Sequence, residues 1–344
     1  MKKIRVAVIG CGVISPLHID CFQSNEQSEV VCVCDIDHEK ARSTAEKFSV
    51  PKFVTDVNEI FSDNNIDAVS ICTDHASHTE IALSSLKHGK HTLCEKPLAA
   101  NYTDLRKLVR AEHKYNDKVF AAVFQHRFDP IYQTLTTLVE EKYFGKILTL
   151  GTSLRCHRTD EYYTSSAWRG TWKYEGGSVL INQAIHYIDL LIMIGGGVEK
   201  IVSAVCENIN HKNIIETEDT ASAILKLKCG SIGIIEATNA SNIDWEAKIT
   251  INGTRGSVEI INENISKISF SEKSVEDEVK ARLESLTSPP IHDNAKPYYG
   301  SGHTAQISNF INAINTGAKP LVTVSSAAET VKTIFEIYKK ANCV

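Results

Sequence analysis

The feature that most constrains this chain is its opening, where the apolar run Ile4-Arg5-Val6-Ala7-Val8-Ile9 breaks at Gly10-Cys11-Gly12 and resumes as a helical pattern after Pro16. Strand, tight turn and helix in that order form the unit of a doubly wound parallel sheet. Gly10 permits the turn, and Gly12 lets the backbone approach a pyrophosphate whose charge the amides at the helix start would meet. Ser15 stands where a third glycine is usual and adds a hydroxyl-bearing carbon at the helix–strand contact. Any strand-to-helix turn can use glycine for positive φ, so the surrounding pattern has to carry the reading.

A second apolar run, Val30-Val31-Cys32-Val33-Cys34, ends in Asp35, 23 residues beyond Gly12. A carboxylate there would accept hydrogen bonds from adenosine ribose hydroxyls and repel a 2′-phosphate. Ile36 and Asp37 follow with no adjacent arginine, which favours NAD over NADP, although Arg42 is near. Asp35 also suits the N-cap of the helix holding Glu39, Ala41 and Ala45. Strands over 67–72, 91–95 and 119–124 then alternate with helices over 77–89 and 100–115. Ligands of such a sheet sit at the strand carboxyl ends, where Asp35, Thr73, Glu95 and Lys96 fall. The bland reading of Lys96 is a salt bridge to Glu95 or a helix cap; Pro97 after it makes a cis bond available.

The 344 residues exceed what one core usually holds, and 42% apolar content allows ample burial. We expect two domains, 1–124 and 125–344, with the closing helices able to pack back on the first. In the second half, short alternating stretches at 147–154, 200–207, 220–227, 231–238, 246–253 and 257–261 predict a mainly antiparallel sheet, with turns at Cys229-Gly230 and 253–256. The polar stretch 272–297, with Pro289-Pro290, reads as a mobile loop or short helix; 303–316 and 325–341 read as helices. Ten cysteines without a CxxC pair suit buried thiols in a reducing compartment. With no cleavable leader and no 18-residue apolar run, the expectation is a cytoplasmic protein that engages no membrane. A net charge of −5 gives no field for nucleic acid, so an anionic ligand needs local basic groups.

Asn182 and His186, at i and i+4, predict one helix face, while Ile181, Ile185, Ile188 and Leu191 form an apolar stripe. Alone, such a histidine is more often a satisfied core or surface residue than a catalyst. A zinc site is the competing functional reading, but asparagine is a poor ligand and no cysteine or acid recurs at ligand spacing.

Four blocks carry a resemblance that spans essentially the whole chain: Glu95-Lys96-Pro97; Cys72-Thr73-Asp74-His75-Ala76-Ser77-His78; Gln125-His126-Arg127-Phe128; and the glycine pair Gly176-Gly177 leading to Asn182, His186 and Asp189. Together they resemble the Gfo/Idh/MocA family of NAD(P)-dependent sugar oxidoreductases. Two positions depart from the family pattern: Asp74 replaces a usual proline, and Asn182 a usual aspartate. The resemblance implies an N-terminal Rossmann domain and an α+β second domain whose open sheet covers the nicotinamide on one face and commonly meets another subunit on the other, giving a homodimer or homotetramer. It implies His186 as base or acid at a reacting hydroxyl, Lys96 hydrogen-bonding that oxygen and relaying its proton, and Asn182 beside them. Burial near a positively charged nicotinamide would lower the lysine pKa. The implied cofactor set is Gly10, Gly12, Val13, Ile14, Asp35, Thr73, His78, Glu95, Lys96, Pro97, Arg127, Trp168 and Arg169.

Substrate identity rests on the stretch from Arg155 to Lys173. Arg155, Arg158, Arg169 and Lys173, with Tyr162, Tyr163, Trp168 and Trp172, suit a phosphorylated or nucleotide-linked sugar, or else are ordinary surface charge over packed aromatics. The order Trp-Arg-Gly-Thr-Trp, Gly-Gly, Asn-Gln-x-x-His resembles the branch that oxidises UDP-N-acetylhexosamines or their uronates at C3. The implied substrate-binding set is Lys96, Arg155, Arg158, Tyr163, Asn182 and His186. The rivals are a free polyol or myo-inositol dehydrogenase and a non-catalytic dinucleotide-binding regulator.

Overall fold

The computed structural model describes residues 3–243, 245–287 and 299–344. Internal packing divides them into two units, 3–128 with 299–328 and 129–287 with 329–344.

The first unit is a six-stranded parallel sheet in the order β3-β2-β1-β4-β5-β6. Its strands are β1 (Ile4–Ile9), β2 (Ser28–Cys34), β3 (Phe53–Val54), β4 (Ala68–Ile71), β5 (His91–Cys94) and β6 (Phe120–Ala122). Between them run α1 (Ser15–Ser24), α2 (His38–Lys47), α3 (Val57–Ser62), α4 (His78–Lys87) and α5 (Tyr102–Lys114). Val6, Val8, Val33 and Ile71 are wholly buried, as strands covered on both faces require. Polar side chains start the helices: Asp37 accepts from the Glu39 and Lys40 N–H groups at α2, and Asn101 from Asp104 at α5. The helix Gly302–Thr316, which begins 180 residues after the end of β6, joins this core through Ile307, Phe310 and Ile311. Phe310 meets Phe22 of α1 edge to face at 6.5 Å. Each such side chain contributes on the order of 2 kcal/mol on burial, which explains why the unit is closed by a segment so distant.

The second unit is a seven-stranded sheet in the order β13-β12-β11-β7-β10-β9-β8. Its strands are β7 (Ile147–Arg155), β8 (Val198–Glu207), β9 (Thr220–Leu227), β10 (Ile232–Thr238), β11 (Glu246–Gly253), β12 (Gly256–Ile261) and β13 (Asn264–Phe270). Every pairing is antiparallel except β7 with β10. Helices α6 (Pro130–Glu140), α7 (Asp160–Thr164), α8 (Ile185–Ile194) and α9 (Lys273–Glu284) accompany it; the helix Gly302–Thr316 becomes α10, and α11 is Val324–Lys340. On one sheet face α8 lies against β7 and β11, over buried Leu150, Leu154, Ile249 and Ile251. Part of the polar stretch expected as a loop or short helix is the helix α9, three turns long, with Val279 and Leu283 buried one turn apart; residues 288–297 of that stretch lie outside the described residues.

Candidate active site

In the first unit the carboxyl ends of β1, β2, β4 and β5 bring together Gly12, Val13, Ile14, Asp35, Thr73 and Lys96, all at least partly exposed. Gly10 has φ +94°, and a Cβ there would stand 2.6 Å from the Cys72 carbonyl oxygen, so strand β4 closes on the turn. At Gly12, among the described residues, no heavy atom beyond its chain neighbours lies within 4 Å of the Cβ position. The backbone there is open to a ligand, and among the described residues no side chain caps the first N–H groups of α1. The Ser15 hydroxyl, in place of a third glycine, donates to Gly12 O at 2.9 Å and ties the turn.

Asp35 accepts the Cys11 and Asp37 N–H groups at 2.8 and 2.9 Å. The capping role considered for it falls to Asp37, because β2 runs to Cys34 and α2 begins only at His38. Arg42 is engaged within α2, 2.7 Å from both Glu39 and Glu46, so its charge is balanced by neighbours on its own helix. An open glycine cradle, an uncapped helix start and a carboxylate at the end of β2 together fit a dinucleotide with an unphosphorylated ribose.

His78 and Glu95 stand behind this surface. His78 is fully buried, with Nδ1 2.8 Å from Pro97 O and Nε2 3.2 Å from Thr73 O. Burial lowers its pKa despite those carbonyls, and the single N–H of the neutral ring serves the shorter contact. The ring thereby braces the Thr73 loop against Lys96-Pro97, whose peptide is cis. Glu95 Oε1 lies 2.9 Å from His18 Nε2, and Oε2 accepts the Lys96 N–H at 3.0 Å. Burial opposes both charges of that pair; their mutual attraction, with the Cys72 thiol near the ring, outweighs it, so His18 is raised and Glu95 lowered. His303 of α10 stacks edge-on to His18 at 5.8 Å, and donor atoms of His18, Glu95 and His303 lie within 4.8 Å of one another. Both His18 nitrogens already face Ser70 and Glu95, so the cluster reads as a buried ion pair, not a metal site. No sequence spacing links 18, 95 and 303. Arg127 donates to Ser326 Oγ at 3.1 Å and lies over Phe124.

In the second unit, the expected uninterrupted helix is instead a π turn, Val179–Gln183, followed after Ala184 by α8. The Ala184 N–H reaches back five residues to Val179 O at 2.8 Å, a bulge of the kind often found at functional positions. Buried Asp189 anchors α8 by accepting from Thr330 at 2.6 Å. Between Glu175 and Ile192 every residue is buried except Asn182 and His186. The expected apolar stripe is therefore a segment buried nearly all round, in which Asn182 and His186 are the two partly exposed residues.

The arginine-rich stretch divides. Arg158 and Arg169 face the Tyr162 ring at 5.1 and 4.2 Å from its centroid, and the Tyr162 hydroxyl accepts from the Asn182 and Gln183 amides, each at 3.4 Å. Arg169 also donates to Tyr162 O and Ser165 Oγ, and Trp168 lies 5.4 Å from its guanidinium. Tyr163, expected to bind substrate, is 3% exposed and bonded to Ser178 and Asn239; it belongs to the core, and Tyr162 faces Asn182 in its place. Arg155 also departs from expectation. Its guanidinium is 3.0 Å from Glu236 and 3.7 Å from Glu246, on the face of β7 opposite Leu150 and Leu154.

Residues 4–123 match the oxidoreductase family GFO_IDH_MocA, NAD-binding Rossmann fold, and residues 132–259 match the GFO/IDH/MocA C-terminal domain. The chain belongs to the GFO/IDH/MocA family. As a GFO/IDH/MocA protein it is an NAD-dependent oxidoreductase of the sugar and polyol class. It is similar to two solved WlbA dehydrogenases in complex with NADH and UDP-GlcNAcA. The one from Chromobacterium violaceum is 27% identical at a TM-score of 0.87, covering 99% of this chain and 94% of that one. The Bordetella pertussis protein gives the same identity and TM-score over 99% and 96%. Among curated proteins, the myo-inositol 2-dehydrogenase of Thermotoga maritima is 27% identical over 262 residues, 74% of each chain. Within this family frame, Glu175, Glu218 and His303 are the polar residues that sequence spacing missed, while Tyr162 stands out in the sequence only as one of several aromatics in the 155–173 stretch. Among the described residues no helix is long and apolar enough to cross a membrane.

Proposed function

We propose that this protein is an NAD-dependent dehydrogenase acting on a secondary hydroxyl, at C3, of a UDP-N-acetylhexosamine or its uronate, in the cytoplasm. The observation that carries the reading is the pair of guanidiniums, Arg158 and Arg169, set about Tyr162 beside Asn182. Two cations around an aromatic ring suit a diphosphate and the sugar or base attached to it, and a chain of net charge −5 needs such a local grip. The likeness to WlbA dehydrogenases over 99% of the chain supports the same substrate class. The likeness to a myo-inositol dehydrogenase supports a free polyol as the second reading.

Bound NAD supplies the hydride acceptor. His186 takes the hydroxyl proton, Lys96 Nζ hydrogen-bonds the same oxygen and relays that proton, and Asn182 orients the sugar. Gly12, Val13, Ile14, Asp35, Thr73 and Pro97 hold the cofactor, with Arg127 and Trp168 as further contacts, and Arg169, expected beside the cofactor, serves the substrate diphosphate instead. His78 and Glu95 act by bracing that surface. Purified protein with NAD and a panel of UDP-sugars, with and without a 2-oxoacid to reoxidise NADH, is expected to remove two mass units from a UDP-N-acetylhexosamine or its uronate. Turnover of myo-inositol and of no UDP-sugar would establish the second reading instead.

We also infer a homodimer or homotetramer formed through the sheet face opposite α8. Val202, Val205, Ile224, Ile232 and Ile234 are 45–60% exposed there, and Ile224 pairs with Ile234 across β9 and β10. Apolar side chains clustered on an open sheet mark an association surface. Sedimentation is expected to show a dimer or tetramer that the double change Ile224→Lys, Ile234→Lys converts to monomer. A monomeric wild type at micromolar concentration ends this inference.

A further inference from the structure

We infer that Glu175 is a positioning residue for Asn182, an inference that rests on the proposed dehydrogenase function. Glu175 is fully buried just before the glycine pair. Its Oε2 accepts the Gly170 N–H and its Oε1 accepts Asn182 Nδ2, both at 2.5 Å. A carboxylate only accepts, so it dictates which way the amide turns: Nδ2 faces Glu175, and Oδ1, on the other branch, is presented as an acceptor. An acceptor of fixed direction beside His186 suits a sugar hydroxyl neighbouring the one oxidised. The same contact explains why position 182 is asparagine here. An aspartate at that distance from a buried carboxylate would set two negative charges together, which cannot both stay ionised. The negative charge therefore stands one hydrogen bond away, at 175, and Asn182 transmits its direction without carrying it.

The charge can then be moved between positions 175 and 182 but not doubled. Asn182→Asp, Glu175→Gln and the double variant Glu175→Gln/Asn182→Asp are compared as full-length protein, first by thermal melting with no substrate across pH 5 to 8. Asn182→Asp is expected to lose melting temperature relative to wild type as pH rises, because its paired carboxyls hold a proton in the fold that they lose with difficulty. The double variant, with one carboxylate, is expected to follow wild type. With the productive sugar, kcat/KM of Asn182→Asp is expected to fall about tenfold relative to wild type over the same range. The double variant is expected to recover to within about threefold of wild type. A melting profile of Asn182→Asp parallel to wild type, or a double variant as impaired as Asn182→Asp, overturns the inference. Should wild type oxidise no sugar, the functional proposal fails by that result, while the melting comparison still decides whether 175 and 182 share one charge.

Discussion

Lys96→Met is expected to lower kcat on the productive sugar by about 10³-fold while NAD affinity stays within about threefold. The scaffold around Lys96 explains why the two effects should separate. Its N–H is held by Glu95 Oε2, Glu95 is held by His18, and the Pro97 carbonyl is met by His78. None of these contacts involves the lysine side chain, so methionine, of similar length and without an amine, leaves the Lys96-Pro97 loop, proposed to meet the cofactor, in place. The loss should fall on the chemical step, because an amine that hydrogen-bonds the reacting oxygen acts most strongly as charge develops there. Single-turnover reduction of NAD, beside calorimetric NAD binding, measures both halves. A hydride-transfer rate within tenfold of wild type with binding intact would remove Lys96 from the reaction.

What the sequence made legible was local. The Gly10 turn, the Asp35 carboxylate and the Lys96 position each follow from a strand end and the residues directly after it, and a parallel sheet gathers strand ends on one edge. What it hid depends on the chain doubling back. Glu175 and Asn182 are close enough in sequence to be noticed, yet the π turn that sets their contact leaves no pattern distinguishable from an α-helix. Tyr162 and Tyr163 are neighbours in a five-residue helix, where one residue of rotation decides which ring reaches Asn182 and which enters the core. Arg155 was misplaced for a related reason. Strand parity assigns it to the face with Glu236 and Glu246, and parity became certain only once the β7 register was known. His303 meets His18 because α10 returns to the first sheet, a step fixed by apolar packing with no polar signal.

Glu218→Gln is expected to change the protein's stability in opposite directions at low and neutral pH. Glu218 is almost wholly buried, and burial pushes its pKa up to about 7 against the N–H groups of Leu180 and Ser178 and the Tyr338 hydroxyl, which favour its charge. A carboxyl whose folded pKa exceeds its unfolded value binds a proton more tightly when folded, so its contribution is most favourable below about pH 4.5. That contribution is lost between pH 4.5 and 7 and then stays flat, by about 3 kcal/mol in all. Glutamine resembles the protonated acid. Its Oε1 can keep the Leu180 and Tyr338 bonds, while the Ser178 N–H loses its second oxygen, at a cost of about 1 kcal/mol. The variant should therefore melt slightly below wild type near pH 4.5 and above it by pH 8, with the curves crossing between. Parallel curves across that range would mean that Glu218 does not titrate there. Its position gives the crossing a functional reading. Ser178 and Leu180 begin the π turn that carries Asn182, so an ionised Glu218 sets a buried negative charge where helix N–H groups converge. That charge fixes the start of the segment bearing Asn182 and His186 at the expense of overall stability. The neutral variant is accordingly expected to be the more stable protein at pH 8 and the poorer catalyst.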